Sequence, residues 1–173
     1  LGFENVRTFD GRVEFTGDES AIPRANLWLR CAGRVFVKMG EFKATSFEEL
    51  FQGTKALPWG DWIPVDGKFT VVGKSVKSTL HSVPDCQAIV KKAIVEKLKE
   101  KYDVDWFDET GAEYTVQVAL LKDMATLTID TSGSGLHKRG YRANALDAPL
   151  KETLAAAMVE LSYWNKDRIL LDP

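Results

Sequence analysis

The sequence contains little of what disulfide or metal chemistry requires. Its 173 residues include two cysteines, Cys31 and Cys86, and two histidines, His81 and His137, with no Cys-x-x-Cys pair. Two unpaired thiols are typical of a reducing compartment, so we expect a cytoplasmic protein with free, mostly buried cysteines and no metal site. No apolar run approaches the roughly 20 residues of a membrane helix, and no signal-peptide core opens the chain. A membrane partner is therefore not expected.

Catalytic groups with a supporting context are also lacking. The sequence shows no Ser-His-Asp or Cys-His arrangement of that kind, and no pair of carboxylates stands apart from the general acidity. The five tryptophans are scattered rather than spaced as a stacking ladder, which favours packing in a core or at a subunit contact. His81 could contact RNA, but capping or core packing is the commoner role of such a residue. No catalytic residue is predicted.

What the sequence does have is a globular composition with local excesses of positive charge. Hydrophobic residues make up 45% and charged residues 28%, and the net charge is −2. This composition favours a globular fold, and any attraction to a polyanion must come from local patches. Residues 71–101 hold seven lysines against three acidic residues, and residues 136–151 hold four basic residues against one acidic residue.

The first basic patch leads into a predicted helix. Residues 73–82 (GKSVKSTLHS) place two lysines and several hydroxyls directly before the helix N-terminus. Ammonium groups, hydroxyls and free helix amides together suit phosphate binding, so contacts to an RNA backbone are predicted here. The alternative is a solvated loop whose lysines only keep the surface soluble. The predicted contacts are Lys74, Ser75, Lys77, Ser78, Ser82, Lys91 and Lys92.

The second basic patch follows a glycine-rich turn. The run Ser-Gly-Ser-Gly at residues 132–135 allows a nest of backbone amides, and Lys138, Arg139 and Arg142 come after it. These three side chains are predicted to contact RNA phosphates. A plain flexible turn is the alternative interpretation.

Periodicity predicts two structural units and a tail. In the first unit, a hairpin over residues 5–16 with Asp-Gly at its turn precedes a helix over 20–31 and a strand over 34–42. This ββαβ order lacks only the first strand and helix of a βαββαβ ferredoxin-like unit, so the start of the chain looks cut from a longer protein. The end looks cut as well, because the last predicted strand stops at Asp-Pro, where a binding loop would begin in an open α/β sheet. In the second unit, a capped helix from Ser46 precedes a strand over 68–73, a second capped helix over 82–102 and a hairpin over 114–131. The tail is a helix over 148–164 and a strand over 168–171.

Several of these segments, in this order and spacing, resemble bacterial THUMP-domain methyltransferases that modify guanine N2 in large-subunit ribosomal RNA. The segments are KSVKS (74–78), SVPDCQAIVKKAI (82–94), TIDTSG (128–133), LHKRGYR (136–142) and APLKETLA (148–155). The resemblance covers essentially the whole chain. It implies an α+β fold with a partial ferredoxin-like domain over residues 1–44 and a THUMP RNA-binding domain over 45–142. Residues 143–173 would be the first helix and strand of a Rossmann-like methyltransferase domain.

The resemblance also implies S-adenosylmethionine as the cofactor of the intact enzyme. Part of its site would be formed by Pro149, Leu150, Lys151, Glu152, Thr153 and Asp172. The family's glycine-rich cofactor loop and its Asn-Pro-Pro-Tyr-type motif are absent from this sequence, so the chain alone is not expected to be catalytic.

The function that the resemblance implies is capture and orientation of structured 23S ribosomal RNA for the protein's own methyltransferase domain, which would act on guanine N2. Two alternatives remain open. One is a protein-interaction module without an RNA role, whose basic strips dock an acidic protein or the catalytic domain itself. The other is part of a DNA N6-adenine methylase, after the older name that such proteins carry.

Overall fold

A computed structural model describes residues 1–140 and 149–171 and divides the chain into two compact units. The first unit comprises Leu1–Val35 and Thr131–Pro173, and the second comprises Phe36–Asp130. Helices and strands occur in both units, which confirms the predicted α+β class. Over the described ranges, no helix is both long enough and apolar enough to cross a bilayer.

The first unit begins with the predicted hairpin. Strand β1 (Glu4–Phe9) pairs antiparallel with β2 (Arg12–Thr16), and Gly11 in the turn has a φ of +70°. Glycine adopts this left-handed conformation without a steric penalty. Helix α1 (Ala21–Trp28) follows. It ends three residues before the predicted limit because Leu29 is already extended.

A small core joins the two segments of the first unit. Ala25 of α1, Val35 and Leu136 are buried together, and Phe3 and Phe15 pack against them. The two phenylalanine rings stack with their centroids 4.2 Å apart. The chain after residue 130 therefore returns to the core of the hairpin, although the whole second unit lies between them in the sequence.

The tail of the first unit differs from the prediction. Helix α4 spans Glu152–Leu161, which is shorter than the predicted 148–164. The predicted strand over 168–171 is wrong: these residues have no strand pairing, and Ile169 and Leu171 are 90% and 85% exposed. An apolar run becomes a strand only where a neighbour supplies hydrogen bonds, and no described residue does so here.

The second unit is built on a four-stranded sheet. Its strands are β3 (Phe36–Lys43), β4 (Lys68–Val76), β5 (Glu113–Leu121) and β6 (Met124–Asp130), in the order β3-β6-β5-β4. Strands β4 and β5 are parallel, and the other pairs are antiparallel. The sequence pattern grouped β3 with the hairpin of the first unit, but β3 pairs with β6 instead. Alternation of apolar residues identifies a strand and gives no information about its partner.

Two helices lie against one face of this sheet. They are α2 (Phe47–Lys55) and α3 (Val83–Tyr102). The predicted cap of α2 is present: Ser46 Oγ accepts from the Glu49 amide at 3.2 Å, and Glu49 Oε2 accepts from the amide and hydroxyl of Thr45 at 2.7 and 2.8 Å. These Thr45 hydrogen bonds lower the pKa of the Glu49 carboxyl.

The helix-facing side of the sheet forms the main core. Val118, Leu120 and Leu127 lie there, each at most 1% exposed, with Val90 and Ile94 of α3. Since side chains alternate along a strand, the other residues of each strand lie on the opposite side, which neither α2 nor α3 covers. We call this side the open face.

Candidate nucleic-acid interface

The loop between β4 and α3 is held in place by hydrogen bonds to itself and to the β5–β6 turn. Ser75 Oγ donates to the carbonyl of Leu80 at 2.7 Å. Ser78 Oγ donates to the carbonyl of Val76 at 3.1 Å and accepts from the amide of Asp123 at 3.0 Å. A hydroxyl has a single donor, so both serines use theirs within the loop. The predicted phosphate ligands Ser75 and Ser78 thus brace the loop.

Asp123 connects the same loop to the β5–β6 turn from the other direction. Its Oδ1 accepts from the amide of Thr79 at 2.7 Å, and the amide of Lys122 donates to the carbonyl of Val76 at 3.1 Å. Lys122 and Asp123 have φ values of +51° and +64°, the left-handed pair that a tight antiparallel turn requires. The two connections therefore form one hydrogen-bonded corner of the second unit.

Lys74 and Lys77 lie at this corner with their side chains exposed. A Cβ added to Gly73 would come within 3.1 and 3.2 Å of Val83 and Gln87 of α3, so position 73 faces the helix. Lys74, one residue later, therefore lies on the open face. Lys77 has a φ of +49° at the end of the strand. Within the described part of the chain, neither lysine takes part in an ion pair.

The start of α3 has one further predicted contact, Ser82. It occupies the N-cap position, but the predicted cap of this helix is wrong, because the Ser82 side chain makes no hydrogen bond to the helix amides. Asp85 lies in the first turn, where its carboxylate interacts favourably with the helix dipole. The same negative charge would repel a phosphate at this helix end. His81 is exposed, with Nδ1 3.0 Å from the carbonyl of Thr79, so it belongs to the loop and not to a core.

Lys91 and Lys92 lie far from this corner. The ammonium group of Lys91 is 5.4 Å from the centre of the Phe69 ring, near the start of β4, and that of Lys92 is 5.8 Å from the Phe51 ring of α2. Because β4 rises about 3.3 Å per residue, Phe69 is roughly 23 Å from Val76 at its other end. The structure does not bring these lysines together with Lys74 and Lys77.

Lys92 also borders a groove between α2 and α3. The groove has a volume of about 160 Å³ and brings two aromatic rings and a lysine to the surface. Its lining residues are Phe47, Glu48, Phe51, Ile89 and Lys92.

In the first unit, the predicted contact Arg139 is part of the scaffold. Its Nε donates to the carbonyl of Leu136 at 3.0 Å, its Nη1 to that of Leu27 at 2.7 Å, and its Nη2 to that of Leu29 at 2.6 Å. Leu27 and Leu29 are at the C-terminal end of α1, where a helix leaves carbonyls without partners and favours a cation. By contrast, the neighbouring Lys138 is exposed.

The glycine-rich turn before these residues is also tied to the first unit. Ser132 Oγ donates to the side-chain oxygen of Asn26 at 2.7 Å and accepts from the amide of Val35 at 2.8 Å. The carbonyl of Gly133 accepts from Arg34 Nη1 at 2.6 Å. The predicted contact Arg142 lies outside the described residues.

The segment predicted to hold part of a cofactor site is largely open to solvent. Pro149, Leu150 and Lys151 are exposed, and Glu152 and Thr153 are half-buried in the first turn of α4, a helix with no fully buried residue. Asp172 lies outside the described residues. The described part of this segment does not enclose a small molecule. Nor do the described residues include a cluster of three or more potential metal ligands.

Sequence reasoning missed Lys122. The signal that could have found it is the predicted order of a strand over 68–73, a helix over 82–102 and a strand from 114, because a β-α-β order favours parallel pairing. Parallel pairing of β4 with β5 places the turn that contains Lys122 beside the β4–α3 loop.

Family models match the chain along most of its length. A THUMP domain matches residues 44–130, which is half of the chain. An RlmL ferredoxin-like domain matches residues 1–36, and an RMKL-like methyltransferase domain matches residues 139–173.

Two curated relatives align with the whole chain. The "Putative RNA methyltransferase YpsC" of Bacillus subtilis is 59% identical over 175 residues, covering 100% of this chain and 45% of that protein. The "Ribosomal RNA large subunit methyltransferase K/L" of Psychromonas ingrahamii is 34% identical over 174 residues, covering 100% of this chain and 23% of that protein. This chain thus spans less than half the length of either relative.

Two solved structures share the fold over 94% of this chain. One is a Listeria monocytogenes protein described as a "predicted N6-adenine-specific DNA methylase", with 61% identity, a TM-score of 0.90 and 43% of its own length covered. The other is SMU.472, described as "a putative methyltransferase complexed with SAH", with 46% identity, a TM-score of 0.88 and 44% covered.

Proposed function

Because this chain belongs to the family of THUMP-domain methyltransferases, we propose that it is the RNA-binding part of an S-adenosylmethionine-dependent enzyme that methylates guanine N2 of 23S ribosomal RNA in the cytoplasm. In this function the chain captures structured RNA and orients it for its own methyltransferase domain. It recognises RNA through the shape and the phosphate backbone. The groups that align the base amine with the methyl donor belong to the methyltransferase domain.

The observation that carries this proposal is a pair of exposed lysines outside any described ion pair, Lys74 near the end of β4 and Lys77 in the loop that follows, where the backbone is already held in place. The backbone that carries Lys74 and Lys77 needs no rearrangement before phosphates replace their counterions, because Ser75, Ser78 and Asp123 fix it by hydrogen bonds.

The other predicted contacts divide into two groups. Lys91, Lys92 and Lys138 are exposed cations that add charge for further phosphates at other places on the surface. Arg139 acts as a positioning residue, because its guanidinium already donates to three backbone carbonyls.

The cofactor is proposed for the intact enzyme. S-adenosylmethionine supplies a methyl group on a sulfonium, and SAH, the molecule bound in SMU.472, is what remains after transfer. Residues 149–153 and Asp172 would contribute to one side of its site. Since the described residues there do not enclose a ligand, we derive no step of the reaction from them.

Fluorescence anisotropy with a labelled hairpin from large-subunit ribosomal RNA, measured over a salt series, tests the RNA role. The test variant combines Lys74→Gln with Lys77→Gln. Removing two phosphate contacts should weaken binding and reduce the slope of log affinity against log salt by about 1.4 to 1.8. The matched control, Lys99→Gln with Lys166→Gln, removes the same charge elsewhere and should leave both quantities unchanged.

If both double variants lower the RNA affinity and the salt slope equally, only the net charge matters. The proposed role of Lys74 and Lys77 in RNA binding would then be wrong. Complete absence of RNA binding would favour the protein-interaction module instead. The DNA methylase description of the Listeria relative gives a second candidate, and competition with duplex DNA of the same sequence decides between them. We expect the RNA complex to survive an equal concentration of that DNA.

A further inference from the structure

The open face of the second unit ends in a row of exposed apolar side chains. Val76, Leu121 and Met124 lie opposite one another across β4, β5 and β6, and they are 48%, 51% and 39% exposed. Because neighbouring strands are about 4.8 Å apart, the row extends about 10 Å across the sheet. Exposed apolar side chains that are contiguous and bordered by polar residues, unlike ones scattered singly, mark a candidate interaction surface.

Lysines surround this apolar row. The four that lie beside it are Lys43, Lys74, Lys77 and Lys122. Lys122 follows Leu121 directly, and its amide is hydrogen-bonded to the carbonyl of Val76, so its side chain starts next to the row. Among the described residues, Lys122 takes part in no ion pair, and the same holds for Lys74 and Lys77.

The nearby carboxylates offset this charge only in part, because Asp123 and Glu49 carry two negative charges against the four lysines. Asp123 directs Oδ1 to the amide of Thr79 at 2.7 Å, inside the corner. Glu49 lies close enough to Lys43 to interact with it, but Glu49 accepts hydrogen bonds from Thr45. The surface therefore combines an apolar centre with a positive border.

We propose that this surface holds an unpaired stretch of RNA, with its bases on the apolar row and its phosphates at the lysines. The surface consists of Val76, Leu121 and Met124 together with Lys74, Lys77 and Lys122, and we call it the corner surface. The proposal rests on the RNA-binding function above and adds the kind of RNA, the base contacts and a third lysine.

The chemistry favours unpaired RNA over a duplex. In an A-form helix the faces of the bases are stacked inside, and the outside exposes phosphates and ribose hydroxyls. The aliphatic side chains of Leu121 and Met124 cannot form hydrogen bonds with these groups. An unpaired base has an apolar face that can lie on aliphatic side chains while its phosphates reach the lysines. A protein partner would need acidic residues around an apolar patch of its own, and it is an outcome of the test below.

The test measures binding of three labelled probes: a short unpaired RNA, the same ribose-phosphate chain without bases, and the corresponding duplex. The full chain should prefer the unpaired RNA over the abasic chain by about fivefold or more, since burying roughly 40 Å² of apolar surface under one base is worth about 1 kcal/mol. Leu121→Gln with Met124→Gln should remove this preference and leave the salt dependence unchanged. Lys122→Gln should instead reduce the salt slope by about 0.7.

A matched control is available in the first unit. Leu27→Gln with Met158→Gln changes the same residue types at sites that are 70% and 57% exposed, and it should leave all three affinities unchanged. Circular dichroism melting verifies that each variant is folded.

The outcomes separate this inference from the proposed function. If RNA binds and depends on Lys74 and Lys77 but bases add nothing, the inference is wrong and the proposed function stands. If no RNA binds, both are wrong. If Leu121→Gln with Met124→Gln leaves RNA affinity intact but abolishes self-association in sedimentation, the corner surface is a protein interface and the inference is overturned.

Discussion

Arg139 offers the sharpest test of whether a basic residue in this chain contacts RNA or holds the fold together. Its guanidinium donates three hydrogen bonds to the carbonyls of Leu136, Leu27 and Leu29, at 2.6 to 3.0 Å. Charge-assisted hydrogen bonds contribute about 1.5–3 kcal/mol each when buried. Here the site is only half-buried and water can replace the lost donors, so about 1 kcal/mol per bond is the appropriate value. Arg139→Ala should therefore destabilise the first unit by about 2–3 kcal/mol.

Hydrogen exchange measured by mass spectrometry reports this loss locally. A loss of 2–3 kcal/mol should raise the opening equilibrium of peptides covering residues 21–36 and 131–140 by about 30- to 160-fold. Peptides from the second unit should exchange as in the wild type. Lys138→Ala, at the exposed neighbouring position, should change exchange in neither unit.

Arg139→Lys separates the two roles. It keeps the charge, so an RNA contact would largely survive. The three donors of an ammonium lie on one nitrogen and cannot match carbonyls placed around the three nitrogens of the guanidinium fork, so the first unit would still be destabilised. If Arg139→Lys exchanges like the wild type while Arg139→Ala loses RNA affinity, the guanidinium acts as an RNA contact and the scaffold role is refuted.

Two further predictions concern the thiols and an ion pair. Burial raises the pKa of the Cys86 thiol, whereas Cys31 is exposed. Ellman's reagent should therefore label Cys31 quickly in the native chain and Cys86 only after unfolding. Fast labelling of both thiols would contradict the burial of Cys86. A hydrogen bond from Lys55 at 2.7 Å lowers the pKa of the Glu100 carboxyl below its ordinary value of 4.5. The Lys55–Glu100 pair therefore stabilises the fold above pH 4.5, and this stabilisation is lost as the pH falls through the lowered pKa of Glu100 in the folded state. Urea denaturation between pH 7 and 3 should therefore show a shallower acid loss for Glu100→Gln than for wild type, and identical curves would remove the pair from the stability of the second unit.

Local structure was largely predictable because it depends on residues close in sequence. The hairpin with Asp-Gly at its turn, the cap of α2 at Ser46 and the extent of α3 follow from turn chemistry, capping and 3.6-residue periodicity. Strand β4 was predicted to end at Gly73 but continues to Val76, because its pairing with β5 extends that far. Glycine usually weakens a strand, yet here Gly73 is tolerated because any side chain at that position would crowd Val83.

The candidate site was less predictable because it depends on pairings that are distant in sequence. Lys74 and Lys77 could be predicted as contacts from the local positive charge and from their position directly before a predicted helix. The roles of Ser75, Ser78 and Arg139 could not be found in that way, since they depend on which carbonyls and amides the fold brings near. Residue type gives the capacity to donate a hydrogen bond, and only the fold decides whether the partner is the protein or a ligand.

The strand order explains why the corner exists at all. A β4–α3–β5 crossover makes β4 and β5 parallel, so the end of β4 and the end of β5 lie at the same edge of the sheet. The hairpin from β5 to β6 then places its turn at that edge, beside the loop that leaves β4. Two connections that are about 45 residues apart in sequence thereby share hydrogen bonds and present their lysines together. A charge pattern read along the chain cannot show this surface, because its positive charge is assembled by topology.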